Sequence, residues 1–278
     1  MALPSSLSES MNKRETQEEI LRYLLLRILL NQQARVEKVK ELSISLYGEF
    51  SEKLSYEPFN IYEKKLFSIF KEIGGAKGSL VYKVGALGGI KPLSLFAYRF
   101  KAYEGFIRWL NEENLKFYDL IHDFILEKGI KELSNFLSSH PVLEAGWVGN
   151  DPKACRMFVN WVAFLFGEIF GFEEVRLEDT LMIVDGHVGK VFCRTGLLGE
   201  VLYEKKRPYI IQASKMRSAI EQIVSQAGMI PFYVDNGAFY LYEDGYCKDL
   251  EPYCEACPVQ GICKRYIKWT AYQIYRQS

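Results

Sequence analysis

The sequence predicts a mostly α-helical protein, and three observations carry that expectation. Apolar residues recur at helical spacing through most of the chain, strand signals are scarce, and capping residues and glycines punctuate the periodic runs. With 278 residues, 49% of them apolar and 14% aromatic, the chain can bury a full core as one large domain or two smaller ones.

The elements follow in order. Residues 1–14 read as a loosely attached terminus. Thr16 and Glu19 have the spacing of a capping box, and Ile20, Leu21, Leu24, Leu25, Ile28 and Leu29 then repeat at helical intervals. The run "ILRYLLLRILL" (20–30) is far shorter than a spanning helix and holds Arg22 and Arg27, so it is expected as a buried helix rather than a membrane segment. Helical periodicity returns in "VEKVKELSISLYGEF", "EKKLFSIFKEI", "KAYEGFIRWLNEENLKFYDLIHDFILEKG" and "KELSNFLSSH". A further helix is expected from Pro152, with Asp151 as cap, to Gly171. Another fits "SKMRSAIEQIVSQAG", with Ser214 as cap and Gly228 as stop. The glycine-rich stretch 78–100 is expected as a hairpin or an irregular loop. In "FYVDNGAFYLYEDGYC" the Asn-Gly pair reads either as a turn or as part of a helix from Asp235.

The formal net charge is zero, so no global field announces a nucleic-acid partner, and any such surface has to come from local sorting of basic residues. The opening "MALPSSLSESMNKRE" is polar and has no apolar run, so an intracellular, reducing setting is expected. That setting disfavours disulfides.

Four of the six cysteines fall together near the C-terminus, as Cys247, Cys254, Cys257 and Cys263. Four thiolates in one compact loop can close around zinc or a cubane iron–sulfur cluster. Zinc sites usually pair two short knuckles, each gripping two corners of a tetrahedron. Here only Cys254 and Cys257 form such a pair, while longer arms bring in Cys247 and Cys263. A larger cubane suits that wrap better, with zinc as the alternative.

The spacing C-x6-C-x2-C-x5-C resembles the iron–sulfur loop of the endonuclease III and MutY branch of the helix-hairpin-helix DNA glycosylases. Further segments resemble that family in the same order along the chain. In "LLLRILLNQQARVEKVKELSISLYGEF", Gln33 matches the family's glutamine that fills the space left by an extruded base. In "MIVDGHVGKVFCRTGLLG", Asp185 matches the catalytic aspartate, and it is also suited to cap a helix carrying Val188, Val191 and Phe192. The stretch "EAGWVGNDPKACRMFV" resembles the hairpin, with Gly146 and Gly149 one residue further apart than in the family pattern. There Lys153 matches the lysine that forms a Schiff base in bifunctional members, at a helix start whose dipole disfavours an ammonium. By the same resemblance Gly146, Gly149 and Asn150 would hold a DNA phosphate. Basic residues sort locally, and Lys190, Arg194 and Lys264 are the candidate phosphate contacts.

The resemblance therefore implies an all-α, two-lobed helix-hairpin-helix glycosylase-like fold with a C-terminal [4Fe-4S] loop. Its helical barrel would span 20–178, with the modified hairpin at 146–153. Its cluster lobe would combine 1–19 with 179–278. The implied activity is base-excision repair. A damaged or mispaired base in double-stranded DNA is flipped out and its N-glycosidic bond is cut, with or without strand cleavage through Lys153. The alternative is a non-catalytic DNA-binding relative with the same fold and cluster. The protein is expected as an intracellular monomer, cytoplasmic or nucleoid-associated, with no membrane partner.

Overall fold

The computed structural model describes residues 7, 11–32, 36–50, 59–74, 92–147, 152–199, 203–204, 207–248 and 251–265. Among these the chain is helical apart from one two-stranded antiparallel hairpin, β1 (Tyr203–Glu204) and β2 (Arg207–Ile211). It divides into two compact units, Met1–Val175 and Arg176–Ser278. No described helix is long and apolar enough to cross a membrane.

The first unit is built around α1 (Arg14–Asn31). Its apolar run is buried on every side, from Ile20 through Leu21, Leu24, Leu25 and Ile28 to Leu30, as a central helix requires. It packs against α2 (Val36–Phe50), α4 (Pro92–Glu112), α5 (Phe117–Ser139) and α6 (Lys153–Phe164), while α3 (Phe59–Gly74) lies between α2 and α4. A left-handed residue at Asn114 (φ 54°) ends α4, where Leu115 N–H returns to the Leu110 carbonyl at 2.8 Å. Inside α5, Gly129 (φ 85°, ψ 171°) breaks the helical path, at the glycine where the sequence separates two periodic runs.

Two buried charges close helix ends in this unit. Lys116, the N-cap residue of α5, offers no side-chain cap. Instead Glu18 of α1 accepts hydrogen bonds from the N–H groups of Phe117 (3.2 Å) and Tyr118 (2.6 Å), and its Oε1 also pairs with Arg22 at 2.7 Å. At the other end of α1, Arg99 donates to the carbonyls of Gln32 (2.5 Å) and Leu30 (3.4 Å). Residues 14 and 18, expected with the cluster lobe, thus make their contacts with α5, because Arg14 also pairs with Asp119.

Differences from expectation are local. Pro152 stands before α6 as its N-cap residue rather than inside the first turn. Past Phe164 the helix widens into a π turn, Leu165–Ile169, before Gly171 (φ 79°) reverses the chain. Residues 92–100 are helical, and 78–91 lie outside the described residues, as does Asp151.

The second unit packs α7 (Gly186–Thr195), α8 (Ala213–Gln226) and α9 (Pro231–Glu243) around Val184, Val188, Phe192, Met216, Ile220 and Ala238. Gly189 leaves room for the Met216 side chain of α8, since a Cβ there would lie 2.5 Å from the Met216 Cε. Helix α8 starts at Ala213 after Gln212, so Ser214 is not its cap; it stops at Gly228 (φ 62°) as expected. The Asn236-Gly237 pair lies within α9, which begins with Pro231 in its first turn and has the Phe232 N–H donated to the Thr180 hydroxyl at 3.1 Å.

Glu18→Ala removes the cap of α5 and strands a largely buried Arg22. Urea denaturation is expected to show a loss of about 3 kcal/mol. Glu41→Ala, which removes the partner of Lys38 in an exposed pair, is expected to cost less than about 0.5 kcal/mol.

Candidate functional site

Helix α7 organises the residues of interest in the second unit. It begins after the non-helical segment 181–185, in which Met182, Ile183 and Val184 are buried. Asp185 is the N-cap residue, and its Oδ1 accepts the N–H groups of both His187 and Val188 at 2.9 Å. Such a cap contributes about 1 kcal/mol and fixes the carboxylate by two bonds to rigid backbone. The expected capping role of Asp185 is therefore observed, at a half-buried position.

His187, which no sequence motif singles out, is the second residue of α7, within the capped first turn. Its ring lies 4.0 Å from that of Tyr242 on α9, with Nε2 3.9 Å from a Glu243 oxygen. Lys190 on the next turn places its ammonium 5.4 Å from the centre of the same Tyr242 ring. The signal available in the sequence was the close spacing of Asp185 and His187 at a helix start.

The C-terminal end of α7 is tied to the cysteine loop. Arg194 is only 3% exposed, and its guanidinium donates to the Cys247 carbonyl and approaches the Cys247 Sγ at 3.8 Å. This corrects the expectation that Arg194 contacts a DNA phosphate: its charge is turned inward onto the loop. Gly196 (φ 85°) caps the helix in the left-handed conformation, and the stem of Lys264 lies where a side chain at Gly196 would be. Lys264 N–H reaches the Thr195 carbonyl at 3.3 Å, and the residue is exposed. Its ammonium is thus carried on a braced backbone, in keeping with a surface contact.

All four loop cysteines line one cavity, whose other walls include Val191, Leu241, Pro252 and Val259. Cys254 opens a short 3-10 turn, Cys254–Ala256, and the Cys263 N–H returns to the Val259 carbonyl at 3.0 Å. The Arg265 N–H points at the Cys263 Sγ at 3.3 Å. Burial raises the Cys247 thiol above its usual pKa, Arg194 pulls it down, and the neighbouring Cys263 and Cys257 push it up. Among the described residues no group of three or more His, Cys, Asp or Glu side chains is arranged to hold a metal ion. The fit to a soft metal centre therefore rests on the donor set: four thiols on one cavity, with a guanidinium and a backbone N–H beside the sulfurs. The other two cysteines, Cys155 and Cys193, are buried elsewhere.

The remaining predicted residues belong to the first unit. Lys153 is the first residue of α6 and is half-buried, following Pro152, which has no N–H to offer an anion. Gly146 is buried in a 3-10 turn, Glu144–Gly146, and its N–H is engaged with the Leu143 carbonyl at 2.8 Å. A Cβ on Gly146 would lie 2.8 Å from that of Ala102 and 3.0 Å from a Leu29 methyl, and Gln32 bonds its carbonyl at 2.7 Å. Close packing of three elements is what this glycine provides, so its amide is not presented to a DNA phosphate. Gln33, Gly149 and Asn150 lie outside the described residues. No family model and no curated protein matches the chain.

Proposed function

We propose that this chain is a DNA glycosylase of the helix-hairpin-helix type, acting on a damaged or mispaired base in duplex DNA. The observation that carries the reading is Asp185, a carboxylate fixed by two backbone N–H groups at the start of a helix whose far end is braced to the four-cysteine loop. A base cannot be cut inside the stack, so the nucleotide is first flipped out. The C1′–N bond then breaks, its electron pair leaves with the base, which takes up a proton, and positive charge develops on the sugar. A rigid carboxylate stabilises that charge without having to reorganise. Water adds to C1′ and loses a proton. In the bifunctional variant of the reading the Lys153 amine adds to C1′ instead and gives up a proton; its nitrogen lone pair then forms the C=N bond of a Schiff base while the C1′–ring oxygen bond breaks, its electron pair staying on the oxygen, which takes up a proton.

Cys247, Cys254, Cys257 and Cys263 would hold a [4Fe-4S] cluster, with zinc as the alternative. When bound, it would supply a covalent brace for the loop. The protein's own part is to keep α7 anchored at Thr195, Arg194 and Gly196 and so hold Asp185 still. Lys190 and the exposed Lys264 are the phosphate contacts of this reading.

Two measurements test it. Protein purified without oxygen is expected to carry iron and acid-labile sulfide in equal amounts, and Cys254→Ser to lose both; zinc in stoichiometric amount with no sulfide supports the alternative centre. Incubation with a panel of damaged and mispaired duplexes is expected to release a base from at least one. If the enzyme is bifunctional, borohydride will trap a protein–DNA adduct that Lys153→Ala abolishes. Binding to every duplex with release from none would instead identify a non-catalytic DNA-binding relative.

A further inference from the structure

In the first unit a cavity of about 290 Å³ opens between the first turn of α1 and the first turns of α5, lined by Asn12, Arg14, Gln17, Tyr118, His122 and Phe172. From it we infer a binding site for a single purine base that presents a ring carbonyl. The inference draws on the first unit alone, so it stands or falls separately from Asp185 and the cysteine loop.

The walls are made of flat rings. Tyr118 and His122 lie nearly parallel, 12° apart with centroids at 5.8 Å, and Phe172 meets His122 edge-on at 5.0 Å. Phe166 backs both, 5.2 Å from Tyr118 and 5.9 Å from His122. Tyr118 is buried and fixed, whereas His122 and Phe172 are half-buried and retain ring surface for a ligand. Phe172 reaches this position through the π turn: its N–H bonds back to the Phe166 carbonyl at 2.9 Å, across the left-handed Gly171. An ordinary helical path would carry it elsewhere, and π turns occur frequently at functional sites.

The polar groups define the ligand's edge. Arg14 stands at the mouth of the cavity, its side chain 66% exposed, where it pairs with Asp119 and sets its guanidinium 5.1 Å from the centre of the Tyr118 ring. Asp119 already balances its charge, which favours a neutral heterocycle over a phosphate. A guanidinium only donates, so it suits a base edge with two acceptors, such as the O6/N7 pair of guanine. Adenine would set an amino donor against that donor. Gln17 is 9% exposed and commits its Nε2 to the Met11 carbonyl at 3.0 Å, leaving Oε1 to accept a ring N–H. The volume is at the lower end of ligand pockets, large enough for a bicyclic base and too small for a dinucleotide.

Calorimetric titration of the full chain with guanosine, adenosine and cytidine tests the site. Guanosine is expected to bind saturably, with adenosine and cytidine weaker by about tenfold. Arg14→Ala and His122→Ala are each expected to weaken guanosine by roughly tenfold, the value of one stacked or hydrogen-bonded contact. His122→Phe, which keeps a ring, is expected to recover most of the binding lost in His122→Ala, and helical circular dichroism confirms that each variant is folded. No saturable guanosine binding, equal binding of guanosine and adenosine, or unchanged affinity in folded Arg14→Ala and His122→Ala would overturn the inference.

Discussion

Most of what the second unit can do depends on one short helix held at both ends. Asp185 closes the N-terminus of α7 through two N–H groups, and the cysteine loop closes its C-terminus through Arg194 and Lys264. A ten-residue helix is marginal by itself, so both closures matter to its persistence. The same contacts join the loop's geometry to the position of the carboxylate. Anything that loosens the loop frees the last turn of α7, and a frayed α7 no longer fixes Asp185. On the proposed reading, a metal centre held by the four cysteines would act on the reaction only through this brace, with no part in bond breaking.

The first unit applies the same device with different charges. Glu18 closes the start of α5 and Arg99 the end of α1, each from a helix remote in sequence. Arg99 is 1% exposed, and burial lowers its pKa from the usual value to about 10, which leaves it charged at neutral pH. Its contact with the Gln32 carbonyl steadies the end of α1 just before Gln33, the residue expected to enter the DNA stack. Buried charges are costly unless they find partners, and here the partners are helix termini that need one.

How much of this was legible in the sequence depends on where each partner lies. The central helix was readable because the run Ile20 to Leu30 is apolar at all but Arg22 and Arg27, too apolar for one side of it to face water. The cap at Asp185 and the break at Gly129 were readable because cap and glycine act on their own neighbours. The polar contact at the start of α9 was not, since the Thr180 hydroxyl that accepts the Phe232 N–H lies 52 residues away. Nor was the Glu18 cap of α5, or the inward turn of Arg194, whose partner Cys247 lies 53 residues on. A basic residue near the end of an amphipathic helix reads as a surface charge until the loop that covers it is known. The four cysteines were visible as a set, because spacing alone announces a shared centre.

On the proposed reading, Asp185 contributes a negative charge to catalysis as well as a helix cap. Asparagine caps helices about as well as aspartate but carries no charge. Single-turnover base release by Asp185→Asn, on the duplex that the wild-type protein cuts, therefore separates the two roles. The prediction is an unchanged melting temperature and retained DNA binding, with base release slowed by about a hundredfold or more. Base release at the wild-type rate by a folded Asp185→Asn protein would contradict it.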